Sequence, residues 1–343
     1  MTRDQEEPML DFLKQAYMPD MNFPIRTINV DTCSRCGRCY ESCPSGGFTW
    51  TKGEIPTPVG FGGFKEACIN CHNCIAVCPT GAMGVTGNFS IPKGRYKSFL
   101  TRTVAPPNPF GAKETPEYSD IEKDLTEVER LIYSRRSNRL FKKEAPTRDV
   151  INRILEAGRF APSAGNCQPY HFMVITDQAV IRELETRSMT VLRLIKNVYL
   201  SKNGKRKLWK NIFVSVSSYL MVNKFDPRPI TAMEKADRNK GEIYFNAPVV
   251  ILILKNKHGI SNPDLDAGIC VQNMVLAAHS LGLGSCIVSL PMVPLSYPIM
   301  AGFRKKIGIK YPFEAVTSVA LGFPKGKIDG IVARDTPPTT WIE

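Results

Sequence analysis

Hydrophobic and polar positions alternate at two different periods after about residue 120. Val150, Ile151, Ile154, Leu155 and Gly158 share one helical face, and Thr147 after Pro146 is the expected N-cap of that helix. Phe172–Ile175 and Val249–Leu254 are short continuous apolar runs, which predict buried strands. A long helix is expected from about Leu265 to Leu281, stopped by Gly282 and Gly284, with further strands near Ile287 and at Val316–Leu321. These elements predict a mixed α+β domain of three layers. Before residue 120 the pattern is different: a short amphipathic stretch at Leu10–Tyr17 reads as a packing arm, and a segment rich in cysteine and glycine follows it. Residues 105–116 hold four prolines and read as a semi-rigid linker.

No window reaches the roughly 18 uninterrupted apolar residues of a membrane helix, so no membrane span is expected. The opening residues Met1–Pro8 are acidic where a secretory signal would be basic and then apolar, and export by that route is not expected. Of the 11 cysteines, eight fall between Cys33 and Cys78. A secreted disulfide scaffold would spread them through a small chain, so metal ligation in a reducing cytoplasm is the better reading.

Those eight cysteines form two runs, Cys33-Ser-Arg-Cys36-Gly-Arg-Cys39-Tyr-Glu-Ser-Cys43-Pro44 and Cys68-Ile-Asn-Cys71-His-Asn-Cys74-Ile-Ala-Val-Cys78-Pro79, the second 35 residues after the first. The repeat implies a pseudo-twofold unit. Two zinc knuckles would use four ligands in paired C-x2-C units and would leave the third cysteine and the proline of each run without a role. The runs resemble bacterial 2×[4Fe-4S] ferredoxins. That resemblance implies one cluster on Cys33, Cys36, Cys39 and Cys78 and another on Cys68, Cys71, Cys74 and Cys43. An extra loop is expected between Cys43 and Cys68. His72 is expected at the surface or against sulfur, and Cys270 is expected to be a small buried hydrophobe.

Three segments of the later region belong together: Arg135-Arg136-Ser137-Asn138-Arg139, Ala161-Pro162-Ser163-Ala164-Gly165-Asn166-Cys167-Gln168-Pro169, and Leu281-Gly282-Leu283-Gly284-Ser285-Cys286-Ile287-Val288-Ser289. In this order they resemble the nitroreductase family of FMN enzymes, a three-layer α/β/α fold. The resemblance implies that Arg135, Arg136 and Ser137 serve the FMN phosphate, that Arg139 faces the pyrimidine edge of the flavin, and that Gly284 and Ser285 belong to its pocket. It also implies that Pro162, Ser163 and Asn166 reach a flavin held mainly by the other subunit of a homodimer. Ser289 falls where the family places a donor to flavin N5, and its hydroxyl can follow changes of protonation there; an ordinary strand-end serine is the alternative. Arg334 is the candidate to complete the phosphate site, with Lys325 and Lys327 as rivals.

The resulting organisation is a 2×[4Fe-4S] ferredoxin-type domain at 25–97, a proline-rich linker at 98–120 and a nitroreductase-like FMN domain at 121–343 with a basic insertion at about 187–240. The expected function is passage of electrons from a low-potential donor protein through two [4Fe-4S] clusters to FMN and on to a small organic acceptor: a nitroaromatic, quinone, activated alkene or halogenated compound. A non-catalytic electron-transfer or redox-sensing protein is the alternative. A formal charge of +13 and the run Lys202–Lys210 raise nucleic-acid binding, but no aromatic-interleaved basic motif accompanies them. Such a basic run is most often a solvated face, and docking of an acidic redox partner is the next expected use of it.

Overall fold

The computed structural model describes residues 22–60, 66, 68–87, 104–199, 232–233, 235–237, 239, 241–326, 330–337 and 339–343, with the backbone alone for 104, 195–199 and 335. The packing arm, the run Lys202–Lys210 and Lys327 lie outside the described residues. In chain order the first elements are β1 (Ile25–Ile28), α1 (Arg38–Ser42), β2 (Phe48–Thr49), β3 (Thr57–Pro58), α2 (Asn73–Ala76), β4 (Met83–Thr86) and β5 (Val104–Ala105). Then come α3 (Tyr118–Ile121), α4 (Glu127–Ser134), α5 (Arg148–Arg159), β6 (Tyr170–Ile175), α6 (Gln178–Tyr199), β7 (Val249–Asn256), α7 (Pro263–Ser280), β8 (Gly284–Ile287), α8 (Met292–Ser296), α9 (Ala301–Ile307), β9 (Phe313–Gly322) and β10 (Arg334–Asp335).

The chain divides into two compact units. One comprises the described parts of Met1–Asp120, Arg193–Lys235 and Val332–Glu343, the other those of Ile121–Leu192 and Ala236–Ile331. The cysteine-rich unit therefore includes Lys235 and the C-terminal residues, and β5 of the proline-rich stretch pairs with β10.

In the first unit the sequence repeat is also a conformational one. Arg35 and Asn70 both have positive φ, as do Gly37 and His72, and these pairs occupy equivalent places in the two runs. Each left-handed residue at position 37 or 72 launches a short helix, α1 or α2, that carries the third cysteine of its run. The strands β1 and β4 pair antiparallel, and the hairpin of β2 and β3 occupies the expected extra loop between Cys43 and Cys68. Phe48, Met83, Cys39, Cys43 and Cys74 form the buried cluster of this unit.

The second unit is built on an antiparallel sheet of order β6-β7-β9-β8. The central strand β7 is apolar at every position from Val249 to Leu254, and each of these is fully buried, so both faces of the sheet are covered. Val249, Ile251 and Ile253 pack with Ile151, Ile154, Val271, Met274 and Val275 of α5 and α7. Burying each such side chain contributes about 1.5–3 kcal/mol. Gly158 marks the close approach of α5 to α7, because a Cβ there would lie 2.4 Å from Met274 Cε. The strand expected at Phe172–Ile175 is present, with Ile175 buried but Phe172, Met173 and Val174 only half-buried, since β6 is an edge strand with one neighbour. Thr147 stands at the N-cap of α5, yet its side chain makes no capping hydrogen bond. Gly282 ends the turn after α7 at φ 74°, whereas Gly284 opens β8 and is not part of the helix stop.

Candidate functional site

Cys33, Cys36 and Cys39 of the first run and Cys78 of the second line one cavity with Gly37, Pro56, Ala82 and Met83. Around the buried Cys74, the thiols that act on it electrostatically are Cys71, Cys68, Cys43 and Cys39, in falling order. Cys78 thus meets the first three cysteines of the first run, and Cys43 lies near Cys68 and Cys74 of the second. Both fourth cysteines are followed by a turn at Pro44 or Pro79. All 11 cysteines are free thiols, and no three His, Cys, Asp or Glu among the described residues close to the spacing of a single metal ion.

Burial pushes the Cys39 thiol up to about 11 and the Cys68 thiol up to about 12, and it pushes Cys74 higher still. Cys78 behaves differently. Burial opposes its ionisation, but hydrogen bonds from the Thr80 N–H and hydroxyl and from the Met83 and Ala82 N–H groups outweigh that and hold it below the ordinary thiol range. Gly47 N–H donates to Cys43 Sγ at 3.3 Å. Buried thiols of raised pKa ionise only when a bound cation compensates the charge, so this donor set fits iron–sulfur clusters. His72 makes a ring hydrogen bond to Asn70 Oδ1 at 2.9 Å.

In the second unit, α4 starts at a capping box of Thr126 and Glu129, with Glu129 N–H donating to Thr126 Oγ1 at 3.2 Å and Thr126 N–H to Glu129 Oε2 at 2.8 Å. Its last residue, Ser134, is tied to α7 by a 3.1 Å hydrogen bond with His279 Nε2. The chain then leaves the helix in extended conformation at Arg135. From there burial alternates: Arg136 and Asn138 are buried, and Arg135, Ser137 and Arg139 are half-buried on the other side. Asn138 N–H donates to Ser285 O at 2.8 Å and Asn138 Oδ1 accepts from Leu140 N–H at 2.9 Å, which seats the segment on the free edge of β8. The Arg139 guanidinium lies 5.8 Å from the Phe245 ring, and its Nη1 is buried without a hydrogen bond among the described residues. A buried guanidinium nitrogen with no acceptor fits a site for an anionic group.

Ser289 lies just past β8, exposed, with its Oγ 2.7 Å from Thr317 Oγ1. Thr317 carries no sequence signal for this role; only the pairing of β8 with β9 brings it there. Lys325 N–H donates to Leu140 O at 2.9 Å, beside Arg139, whereas Arg334 lies on β10 in the first unit. Pro162 and Asn166 are exposed and Ser163 half-buried. Ser163 Oγ accepts from Gln168 N–H at 3.0 Å, and Gly165, Asn166 and Gln168 all have positive φ.

This loop leads into β6, the edge of the sheet opposite β8. The strand registers also put Tyr170 level with Lys255 and Gly284 level with Gly322, next to Val249. Three strand spacings and six residues of strand separate them, or about 14 Å across and about 20 Å along the sheet. One chain therefore holds the Pro162–Asn166 loop and the Arg135–Arg139 segment at diagonal corners. Sequence reasoning also missed Lys235, which lies in a basic stretch with no motif, and whose Nζ donates to the Glu41 carbonyl at 2.9 Å and to the Cys43 carbonyl.

Residues 32–82 match the 4Fe-4S dicluster domain. An Archaeoglobus fulgidus protein assigned as NADH dehydrogenase/NAD(P)H nitroreductase is 26% identical over 211 residues, 62% of this chain and 93% of that one. A ferredoxin of Methanocaldococcus jannaschii is 39% identical over 56 residues, 16% of this chain and 70% of its own. A crystal structure of a nitroreductase with bound FMN from Desulfitobacterium hafniense is 21% identical at a TM-score of 0.47, covering 64% of this chain and 100% of that one. Residues 132–323, which contain all three of the later segments, match the Nitroreductase family. Since that match spans more than half of the sequence, the chain belongs to the nitroreductase family, with a 4Fe-4S dicluster domain ahead of it.

Proposed function

We propose that this protein is an FMN-dependent oxidoreductase that takes electrons singly from a low-potential donor protein and delivers them in pairs to a small organic acceptor in the cytoplasm. The acceptor classes that suit such a site are nitroaromatics, quinones, activated alkenes and halogenated compounds. The observation that carries the reading is the convergence of Cys78 with Cys33, Cys36 and Cys39 around one cavity, in a chain whose other unit belongs to an FMN-using family. Iron–sulfur clusters supply one-electron transfer, and FMN supplies paired-electron and hydride chemistry.

The first cluster would be held by Cys33, Cys36, Cys39 and Cys78, the second by Cys68, Cys71, Cys74 and Cys43. Arg135, Arg136 and Ser137 would bind the FMN phosphate. Adjacency to Leu140 favours Lys325 over Arg334 as the late basic residue. Arg139 would hold the pyrimidine edge with the nitrogen that lacks an acceptor within the chain. Gly284 and Ser285 would serve the flavin by seating Asn138, and with it the Arg135–Arg139 segment, on β8. The Ser289 hydroxyl can donate to Thr317 or accept from it, so it can turn a proton toward flavin N5 or withdraw it. The diagonal placement of the Pro162–Asn166 loop supports a homodimer in which each chain's loop serves the flavin of its partner.

The test is anaerobic purification followed by metal, sulfide and flavin analysis. The reading expects about eight iron and eight sulfide per chain and one FMN. Reduction with a low-potential donor protein, followed by a screen of the four acceptor classes, should then give turnover with at least one of them. Bound zinc without sulfide would refute the cluster assignment, and full reduction without turnover of any acceptor would favour a relay or sensor.

A further inference from the structure

Three of the four thiols in the second set, Cys43, Cys68 and Cys74, are buried, whereas in the first set only Cys39 is. An added electron is harder to hold in a buried centre than in a solvated one, because the more negative state loses more hydration. Two cations lie against the backbone of the buried set. Arg26, itself buried, donates to the Gly47 carbonyl, and the Gly47 N–H in turn donates to Cys43 Sγ at 3.3 Å. Its charge is shared with Glu66, 2.6 Å away. Lys235 is also buried, and its ammonium donates to the carbonyls of Glu41 and of Cys43 itself.

Lys235 comes from 192 residues further along the chain, inside the stretch that matches the nitroreductase family. A lysine ammonium is a point charge that is costly to bury, and burial beside an anionic centre is where that charge has a use. We infer that Lys235 is a positioning residue for the second centre: its buried ammonium at the Cys43 carbonyl raises the reduction potential of the cluster on Cys68, Cys71, Cys74 and Cys43, offsetting the burial of that cluster. The flavin-bearing part of the sequence thereby sets a property of the ferredoxin part. This inference rests on the two-cluster reading above.

The experiment is an anaerobic redox titration of the full-length holoprotein followed by electron paramagnetic resonance, alongside iron and sulfide analysis. Wild type should show two cluster signals; fewer would refute the two-cluster reading itself. Lys235→Gln keeps a donor for the carbonyls and removes the charge. It should make one cluster about tenfold harder to reduce at a fixed potential, a shift of 59 mV for one electron, and leave the other in place. Lys235→Arg should restore the wild-type value, and Glu66→Gln, which removes the carboxylate beside Arg26, should shift the same cluster the opposite way. In a Cys36→Ala background, which disrupts the first cluster, the Lys235→Gln shift should persist. Two intact cluster signals with no shift in Lys235→Gln, an equal shift of both, or a shift that vanishes with Cys36→Ala would overturn the inference and leave Lys235 a packing contact. If Lys235→Gln fails to assemble clusters, the Glu66→Gln and Lys235→Arg titrations decide alone, and a silent Glu66→Gln with a displaced Lys235→Arg would overturn it.

Discussion

Gly284→Ala tests whether the Arg135–Arg139 segment is held in place by its fit against β8. A Cβ at position 284 would lie 2.9 Å from Asn138 Cγ and 3.1 Å from both Asn138 Cβ and Nδ2. Carbon atoms in contact prefer about 3.5–4.0 Å, so Asn138 would have to withdraw by about 0.5–1 Å. It has little freedom to do so, being buried, donating to Ser285 O at 2.8 Å and accepting from Leu140 N–H at 2.9 Å. Overpacking of this kind costs about 1–3 kcal/mol. At about 2–4 °C per kcal/mol for a unit of this size, a cost of about 2 kcal/mol lowers the melting temperature by about 4–8 °C. Because Arg139 is the next residue, its guanidinium should move with Asn138, and FMN affinity should fall about tenfold, or about 1.4 kcal/mol. Calorimetry of the flavin-free protein and a fluorescence titration with FMN measure the two effects. Asn138→Ala in the same chain removes two of the three crowded atoms, Cγ and Nδ2, and should recover part of the stability. Gly284→Ala with unchanged melting temperature and unchanged FMN affinity would refute the argument, as would a double variant no more stable than Gly284→Ala alone.

Cys78→Ala should damage the centre that includes Cys33, Cys36 and Cys39 and spare the other, as read by cluster-specific resonance signals; loss of the other centre instead would refute crossed ligation. Ser289→Ala removes the 2.7 Å partner of the nearly buried Thr317 hydroxyl and should cost about 1 kcal/mol of stability. It should also bring the two one-electron potentials of the bound flavin closer together, and unchanged potentials would make Ser289 a strand-end residue. Light scattering should find a homodimer, and a monomer retaining stoichiometric FMN would contradict the exchange of the Pro162–Asn166 loop. Glu185 is buried on α6 and accepts the N–H groups of Ile243 and Tyr244 at 2.8 Å each. Burial raises its pKa above the ordinary carboxylate value despite those bonds. The folded state then holds its proton more tightly than the unfolded state, so this group's contribution falls as pH rises from its unfolded value through its folded one. Glu185→Gln should flatten that part of the stability–pH curve, whereas Glu185→Ala, which orphans two buried donors, should cost about 2–4 kcal/mol at neutral pH; equal pH profiles for wild type and Glu185→Gln would refute the assignment.

The features legible in the sequence are those with a local physical cause. Cysteine spacing of three, three and four residues, with a proline after the last, needs only a few neighbouring residues to express it, and the strand at Val249 declares itself by an unbroken apolar run. The end of the helix Pro263–Ser280 is marked in the sequence by the glycine beyond it, whereas its start, capped by the Asn262 side chain accepting from Leu265 N–H at 3.2 Å, lies earlier than the expected Leu265. Strand pairing, by contrast, is a choice among distant partners that periodicity does not encode. Only the order β6-β7-β9-β8 puts the Pro162–Asn166 loop and the Arg135–Arg139 segment at opposite corners, and only the register of β8 on β9 sets Ser289 against Thr317. Asn138 could be quoted from the sequence but given no role, because its function is to fill the space left by the missing side chain of Gly284. Lys235 lies furthest from any sequence rule: a lysine in a basic stretch reads as a solvated charge, and only the folding of residues 192 positions apart onto one carbonyl makes it a buried cation beside Cys43.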